Sequence, residues 1–313
     1  MRIFRDLNEL AEFKNSVVTI GTFDGVHIGH QKILKKLNNE ASTINGESIL
    51  FTFYPHPRMV VFPESHNLKL IQTIDEKIES LSQYGLDNVI IYPFTKDFSR
   101  LTAFEFVRDI LVNKLKVKKL VIGYDHQFGR NREGNIEFLR ESAEMFDFEV
   151  IEISAQEIDE VNVSSTKIRN SILDGNIDRS NDFLGRPFRV TGKVVKGNRL
   201  GRELGFPTLN LQLSNNHKIL PADGVYAVEI ILMNEVYKGM MNIGNNPTIS
   251  EISEKKYEVH VFDFGSDVYG EQVVILFHQF IRKEKTFDNL EELKSQIRKD
   301  EQNIRHYFST STE

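Results

Sequence analysis

Apolar, β-rich runs at 17–20, 48–53, 88–92, 120–122 and 148–153 alternate with stretches whose apolar residues recur at helical spacing, at 31–38, 75–84, 103–115 and 136–145. Asp75 stands where an N-cap belongs and Gly85 where a C′ residue belongs, bracketing the second of these helices. Strands that alternate with helices predict an α/β domain with a parallel, doubly wound sheet, whose ligands sit beyond the carboxyl ends of the strands. Near residue 175 the pattern changes. Strand-like runs at 188–196, 225–231, 236–243, 257–262 and 272–280 follow one another, with turns at 233–235 and 264–267, and a helical pattern at 290–307 closes the chain. That series predicts a small antiparallel β-barrel with a C-terminal helix against it. The polar stretch 174–182, rich in turn formers, reads as the start of a linker, so the expected domains are 1–182 and 183–313.

Composition narrows the setting. A length of 313 residues, 40% apolar and 27% charged, suits two soluble globular domains. The absence of Cys excludes a disulfide framework and thiolate metal sites, and fits a reducing compartment. Met1-Arg2-Ile3-Phe4-Arg5-Asp6 is charged and has no apolar signal core, and no apolar run approaches membrane-spanning length. A cytoplasmic protein with no membrane partner is expected. The formal net charge of −6 speaks against general nucleic-acid binding, so no nucleic-acid partner is expected. A phosphate site needs only a few local cations.

Candidate chemistry gathers where strands end. Gly21-Thr22-Phe23-Asp24-Gly25-Val26-His27-Ile28-Gly29-His30-Gln31 follows the first apolar run and leads into a helical pattern. Its glycines let backbone N–H groups approach an anion, and the helix start adds partial positive charge, so a phosphate is the natural guest. His27 and His30 share one face if the helix begins near Val26. The same turn also suits a bare strand-to-helix connection. A metal on His27, His30 and Asp24 is disfavoured, because no Cys and no further ligand stand nearby to close a zinc site.

Three more loops carry polar residues. Phe53-Tyr54-Pro55-His56-Pro57-Arg58 follows the second strand, and its prolines pin an extended turn that presents His56 or merely stiffens the surface. Gly123-Tyr124-Asp125-His126-Gln127-Phe128-Gly129-Arg130-Asn131-Arg132 follows the fourth and suits either a nucleotide or solvent. Ser164-Ser165-Thr166-Lys167-Ile168-Arg169 opens a helix, with Ser164 or Ser165 as N-cap, and forms either an anion site or a plain capped terminus.

The string around the histidines contains the H-x-G-H signature of nucleotidyltransferases, whose fold is Rossmann-like. With the P-H-P turn, the G-x-D-x-x-F-G loop and the S-S-T-x-I-R helix start in the same order, it resembles the FMN adenylyltransferase module of the bacterial bifunctional riboflavin kinase/FAD synthetase family. That family usually has Asn where this chain has Thr22. The resemblance implies that His27 and His30 bind the ATP triphosphate and stabilise charge at the α-phosphorus, with Gly21, Phe23, Asp24, Gly25 and Gly29 around the nucleotide. It implies that Ser164, Thr166 and Arg169 hold the outgoing pyrophosphate, and that His56, Pro57 and Asp125 contact the flavin.

In the second half a glycine-dense stretch runs from Gly192 to Asn210. Gly192 and Gly197 have the Walker A interval, but Asn198-Arg199 replaces Lys-Ser/Thr, so a P-loop is rejected. The stretch suits a flexible hairpin, or a flap in which Gly192, Lys193, Gly197 and Arg202 cover phosphates while Thr208 and Asn210 offer oxygens to Mg²⁺. Two residues apart on a strand, those two side chains share a face. Gly201-Arg202-Glu203-Leu204-Gly205-Phe206-Pro207-Thr208-Leu209-Asn210 is similar to the riboflavin kinase signature G-R-x-L-G-F-P-T-x-N. Gly224-Val225-Tyr226, Asn242-Ile243-Gly244 with Pro247-Thr248, and Glu258-Val259-His260-Val261-Phe262-Asp263-Phe264 resemble the same family in order. This implies Thr208 and Asn210 at Mg²⁺–ATP, Phe206 at the flavin, and Glu258 as base for the riboflavin 5′-hydroxyl. A lone Glu on a strand is otherwise a solvated surface residue.

Together the two resemblances imply a bifunctional enzyme. Riboflavin and ATP give FMN and ADP; FMN and a second ATP give FAD and pyrophosphate. The alternatives are an adenylyltransferase whose kinase half only binds flavin, and a flavin-responsive regulatory or RNA-binding protein. The product formed from riboflavin and ATP separates the three.

Overall fold

The computed structural model describes residues 1–62, 64, 68–124, 126–154, 163–197, 201, 205–213, 215–245 and 255–310. The chain divides into two compact units, Met1–Ser165 and Thr166–Glu313. In the first unit β1 (Arg2–Phe4), β2 (Val17–Ile20), β3 (Ser48–Tyr54), β4 (Asn88–Pro93), β5 (Lys119–Gly123) and β6 (Glu149–Ile153) form one sheet in the order β1-β4-β3-β2-β5-β6. Every pair in it is parallel. The helices are α1 (Ile28–Thr43), the short α2 (Pro57–Val61), α3 (Ile74–Ser82), α4 (Ala103–Glu105, continuing as a π-helix over Phe106–Lys114) and α5 (Ile136–Phe146).

The sheet is covered on both faces, which is why its strands read as near-continuous apolar runs. Val18, Ile20, Phe51 and Ile122 pack on one face with Val107, Leu111 and Leu139, while Val17, Leu50, Val89 and Val121 pack on the other with Leu34, Leu37 and Leu81. The doubly wound expectation is met. The chain winds outward from β2 through β3 to β4, then crosses to β5 and β6 on the other side of β2. The strand order therefore reverses between β2 and β5, and the crevice beyond their carboxyl ends is the switch point where such sheets bind ligands.

Two local expectations need correction. Thr73, not Asp75, caps α3: its hydroxyl accepts from Glu76 N and the Glu76 carboxylate accepts from Thr73 N. That reciprocal box satisfies two N–H groups at once, which a single Asp cap cannot. The P-H-P turn is not extended throughout. His56 Nδ1 accepts from Arg58 N and Pro57 takes the first position of α2, where its fixed φ is already helical.

α6 (Ser165–Leu173) spans the division between the units. The second unit continues with α7 (Ile177–Leu184), β7 (Phe188–Val195), β8 (Leu209–Leu213), β9 (Gly224–Leu232), β10 (Glu235–Asn245), β11 (Lys255–Val261), β12 (Gln272–Arg282) and α8 (Leu290–Thr310). Its strands close into an antiparallel barrel in the order β10-β11-β8-β7-β12-β9. The turn at 233–235 is as expected, with Met233 and Asn234 both left-handed (φ 53° and 66°) between β9 and β10. The polar stretch that reads as a linker instead holds α7. Asn176 caps that helix, and its buried residues Ile177, Ser180 and Leu184 form one narrow stripe. Asn181 then ties it to the barrel, donating to Phe277 O (2.8 Å) and accepting from Phe188 N (2.7 Å).

α8 lies on the outside of the barrel wall. Ile304 and Phe308 pack over Val225, Ala227, Met240 and Phe262. Asp300, 2% exposed, locks the contact: its carboxylate accepts from Arg282 Nε (2.9 Å) and Nη2 (2.8 Å) and from Gln296 Nε2 (2.8 Å).

Candidate active sites

The first site begins where β2 ends. Gly21 N donates to Phe51 O at 3.1 Å, and a Cβ on Gly21 would meet the Phe23 ring at 2.9 Å. Phe23 (φ 46°), Gly25 (φ 91°) and Val26 (φ 40°) then take left-handed conformations. For a β-branched residue such as Val26 that is a costly state, sustained only by strong surroundings. Those surroundings are visible. The buried Asp24 carboxylate accepts from Ile71 N (3.1 Å) and Gln72 N (3.2 Å), Ser165 Oγ donates to Asp24 O (3.0 Å), and Gln31 Nε2 donates to Val26 O (3.0 Å).

The helix that follows begins at Ile28, two residues beyond Val26, and His27 is its N-cap. His27 Nδ1 accepts from His30 N at 3.3 Å, so the neutral imidazole carries its proton on Nε2. The two imidazoles stack, with centroids 3.6 Å apart and 16° between planes, and Phe23 stacks on the far side of His30 at 4.5 Å. Gly29 makes this possible, since a Cβ there would press on the His27 ring at 3.3 Å. A column of three rings thus stands at the start of α1, beside the switch point. The helix start lies at the positive end of a dipole that favours anions.

Of the other residues singled out in this half, Asp24 and His56 line one small pocket, together with Gln72 and Lys77. Ser164 is exposed and directly precedes α6, Thr166 is exposed on its first turn, and Arg169 is half-buried one turn further on. Asp125 lies outside the described residues. Sequence reasoning passed over Gln72 and Lys77. Lys77 is 7% exposed, and its Nζ donates to Thr22 O at 2.7 Å. Burial pulls its pKa down to about 8, although the facing Asp24 charge pushes the other way. A signal for it existed, because Lys77 falls on the stripe of α3 that carries Ile74, Ile78 and Leu81, where a cation is out of place.

The barrel brings together residues far apart in the chain. Register sets Glu258 of β11 opposite Asn210 of β8 and, on its other side, opposite Asn242 of β10. Val259 and Val261 are buried in the barrel, so Glu258 faces outward and is half-buried. Thr208 directly precedes β8. Thr208 and Asn210 line a cavity of about 390 Å³ with Gly197, Pro207, Asp267 and Tyr269, and Glu258 stands beside that wall rather than in it. The space that a side chain would need at Gly197 is filled by the Asn210 carboxamide. Phe206 meets His260 edge-on at 5.6 Å, and His260 Nδ1 lies 2.8 Å from Pro207 O. Gly192 sits in the barrel wall, where a Cβ would meet Gln212 O at 3.2 Å, and Lys193 is exposed across from Gln212 and Gln272. Arg202 lies outside the described residues. Among the described residues no cluster of three or more His, Cys, Asp or Glu could hold a metal ion by itself. The oxygen donors lining the cavity include the neutral groups of Thr208 and Asn210 and the Asp267 carboxylate, a set that suits a hard divalent cation completed by phosphate and water.

Comparison with known proteins gives the family. A family model described as FAD synthetase matches residues 9–167, and one described as riboflavin kinase matches residues 184–308. A bifunctional riboflavin kinase/FMN adenylyltransferase of Buchnera aphidicola subsp. Schizaphis graminum is 38% identical over 99% of both chains. The Escherichia coli K12 protein of the same description is 35% identical over 98% of both. Among solved structures, a macrolide-efflux protein from Streptococcus pneumoniae superposes with a TM-score of 0.88 at 33% identity, over 97% of this chain and 98% of that one. Among the described residues no helix is long and apolar enough to cross a membrane. With both family models matched in sequence order and relatives aligned from end to end, the chain belongs to the family of bifunctional riboflavin kinase/FMN adenylyltransferases.

Proposed function

We propose that the halves divide the family's two ATP-dependent reactions, with adenylyl transfer in 1–182 and phosphorylation in 183–313. The observation that carries the reading is that each half gathers its own polar constellation. In one it is the Phe23–His30–His27 column at the sheet's switch point, and in the other the Asn210–Glu258 pair across two barrel strands.

In adenylyl transfer an oxygen of the FMN phosphate attacks the α-phosphorus of ATP in line, and pyrophosphate leaves. Both reactants are anions, so the chain's task is to hold them together and offset charge in the transition state. A phosphate nucleophile is ionised at neutral pH and needs no base. His27 and His30 therefore act as hydrogen-bonding and electrostatic groups at the α-phosphate, with Gly21, Phe23, Asp24, Gly25 and Gly29 shaping the turn around it. Ser164, Thr166 and Arg169 receive the pyrophosphate, and His56, Pro57 and Asp125 hold the flavin.

In phosphorylation the nucleophile is an alcohol, the riboflavin 5′-hydroxyl, and its oxygen attacks the γ-phosphorus as ADP leaves. Removing the hydroxyl proton assists that attack, which gives Glu258 its role as general base. Families of this kind use a divalent metal with ATP. We assign it here as Mg²⁺, held by Thr208 and Asn210, where it would neutralise phosphate charge. Gly192, Lys193, Gly197 and Arg202 cover the phosphates, and Phe206 packs on the flavin. Riboflavin, FMN, FAD, ATP, ADP and pyrophosphate are then the partners, and a chain without Cys suits the reducing cytoplasm.

Separate point variants test the division. His30→Ala is expected to abolish FAD formation from FMN while FMN formation continues, and Glu258→Ala to do the reverse when FMN is supplied. Loss of both activities in either variant, with the far-UV circular dichroism of the native chain retained, refutes the two-site assignment.

A further inference from the structure

From the geometry of the first unit we infer that Lys77 is a positioning residue for adenylyl transfer, holding the 22–26 turn so that the His27 and His30 imidazoles stand in register for the α-phosphate. The inference rests on placing that reaction at the 21–30 turn and adds a residue to it.

Burying an ammonium group is expensive unless it does something that a Met of equal length could not. Lys77 is as buried as a core residue, on a helix whose other buried residues are Glu76, Ser80 and Leu81. Its Nζ reaches 55 residues back along the chain to Thr22 O. That carbonyl opens the turn in which Phe23 and Val26, neither of them glycine, are left-handed. Each such residue stores on the order of 1–3 kcal/mol of backbone strain. A strained turn relaxes unless each end is pinned.

The far end is pinned by Gln31 Nε2 on Val26 O, and the middle by Ser165 Oγ on Asp24 O and by Ile71 and Gln72 N–H on the Asp24 carboxylate. The near end is pinned at Thr22 O by Thr52 Oγ1 at 3.2 Å and by Lys77 Nζ at 2.7 Å. The lysine bond is the shorter and is charge-assisted, so it is the stronger of the two. Phe23 follows Thr22 directly, and its ring is the outer plate of the column that ends on His27. Releasing Thr22 O frees Phe23 to relax toward negative φ, and the plate against His30 tilts away with it. The ammonium also faces the Asp24 carboxylate, so one charge braces two points of the same turn.

The test compares Lys77→Met, which keeps the stem and removes the donor and its charge, with Lys77→Arg, which keeps both. For FAD formation by the full chain, Lys77→Met is expected to lower kcat about 30- to 100-fold with KM for FMN and ATP changed less than about threefold, as for a misplaced catalytic group. Lys77→Arg should recover most of that loss, and riboflavin phosphorylation by the same preparations should not change. A labelled-histidine NMR spectrum supplies the readout a merely structural lysine would not move: the ring protons of His27 and His30, shifted by stacking, should drift toward ordinary imidazole positions in Lys77→Met. If that variant does not fold, Lys77→Gln takes its place under the same criteria. Wild-type kcat, or a slow enzyme whose imidazole resonances are unmoved, overturns the role of Lys77. Normal FAD formation by His30→Ala overturns instead the site on which the inference rests, so the two failures are told apart.

Discussion

Gly197→Ala is a perturbation that removes no functional group and should still disable the kinase. Gly197 is not left-handed, so its backbone accepts alanine without strain. The obstacle is steric: the new Cβ would land within the Asn210 carboxamide, 2.7 Å from Oδ1 and nearer to its other atoms. Carbon and oxygen rest at about 3.5 Å, so the carboxamide must retreat by about 1 Å. Turning Asn210 aside costs stability only about 0.5–1.5 kcal/mol, the price of an unfavourable rotamer. A misplacement of that size costs a reaction about 100-fold, or roughly 2.7 kcal/mol of barrier. The prediction is therefore a split result, with riboflavin phosphorylation down about 100-fold and the thermal midpoint lowered by only a few degrees. Initial rates of FMN formation measure the first, far-UV circular dichroism the second, and FAD formation from supplied FMN is the internal control. The reasoning is refuted if Gly197→Ala phosphorylates riboflavin within about twofold of the native rate while Asn210→Ala is slow. It is equally refuted if both are fast, because Asn210 would then have no part in the reaction.

Asp300→Ala removes the buried carboxylate that accepts from the half-buried Arg282 and from Gln296 and should destabilise the second unit by roughly 1.5–3 kcal/mol, so that on warming kinase activity is lost before adenylyl transfer. Thr73→Ala removes the α3 cap and should lower first-unit stability by about 1 kcal/mol in urea unfolding. Burial holds Lys77 at about 8, against roughly 10.4 in an unfolded chain, so between those values the unfolded state binds the extra proton. This group accordingly makes first-unit stability rise with pH above about 8 and contributes no slope below it. Subtracting the profile of Lys77→Met isolates that rise, and a flat difference sinks the argument.

How much of the site was legible depends on how its residues are joined. His27 and His30 lie in one unbroken word with the glycines that seat them, so strand, turn and helix could be read together. Lys77 on α3 and Gln72 just before it reach the same place from far along the chain, where nothing local ties them to the turn. α7 was lost because only one narrow stripe of a polar stretch is apolar. Thr73 was passed over for Asp75 because its cap rests on a reciprocal pair, completed by Glu76 three residues further along.

What the amino-acid sequence determined by itself is whatever depends on neighbours within about one turn: strand and helix periods, glycine turns, caps, and therefore the doubly wound and barrel classes and the two motif sets. What only the tertiary structure decided is which distant groups meet. Barrel register alone puts Asn210 across from Glu258, and the closure of α3 over the turn alone brings Lys77 to Thr22. The reason is physical: local conformation follows from short-range sterics and hydrogen bonding, whereas these encounters follow from how two hydrophobic faces and a closed hydrogen-bonded barrel exclude water as a whole.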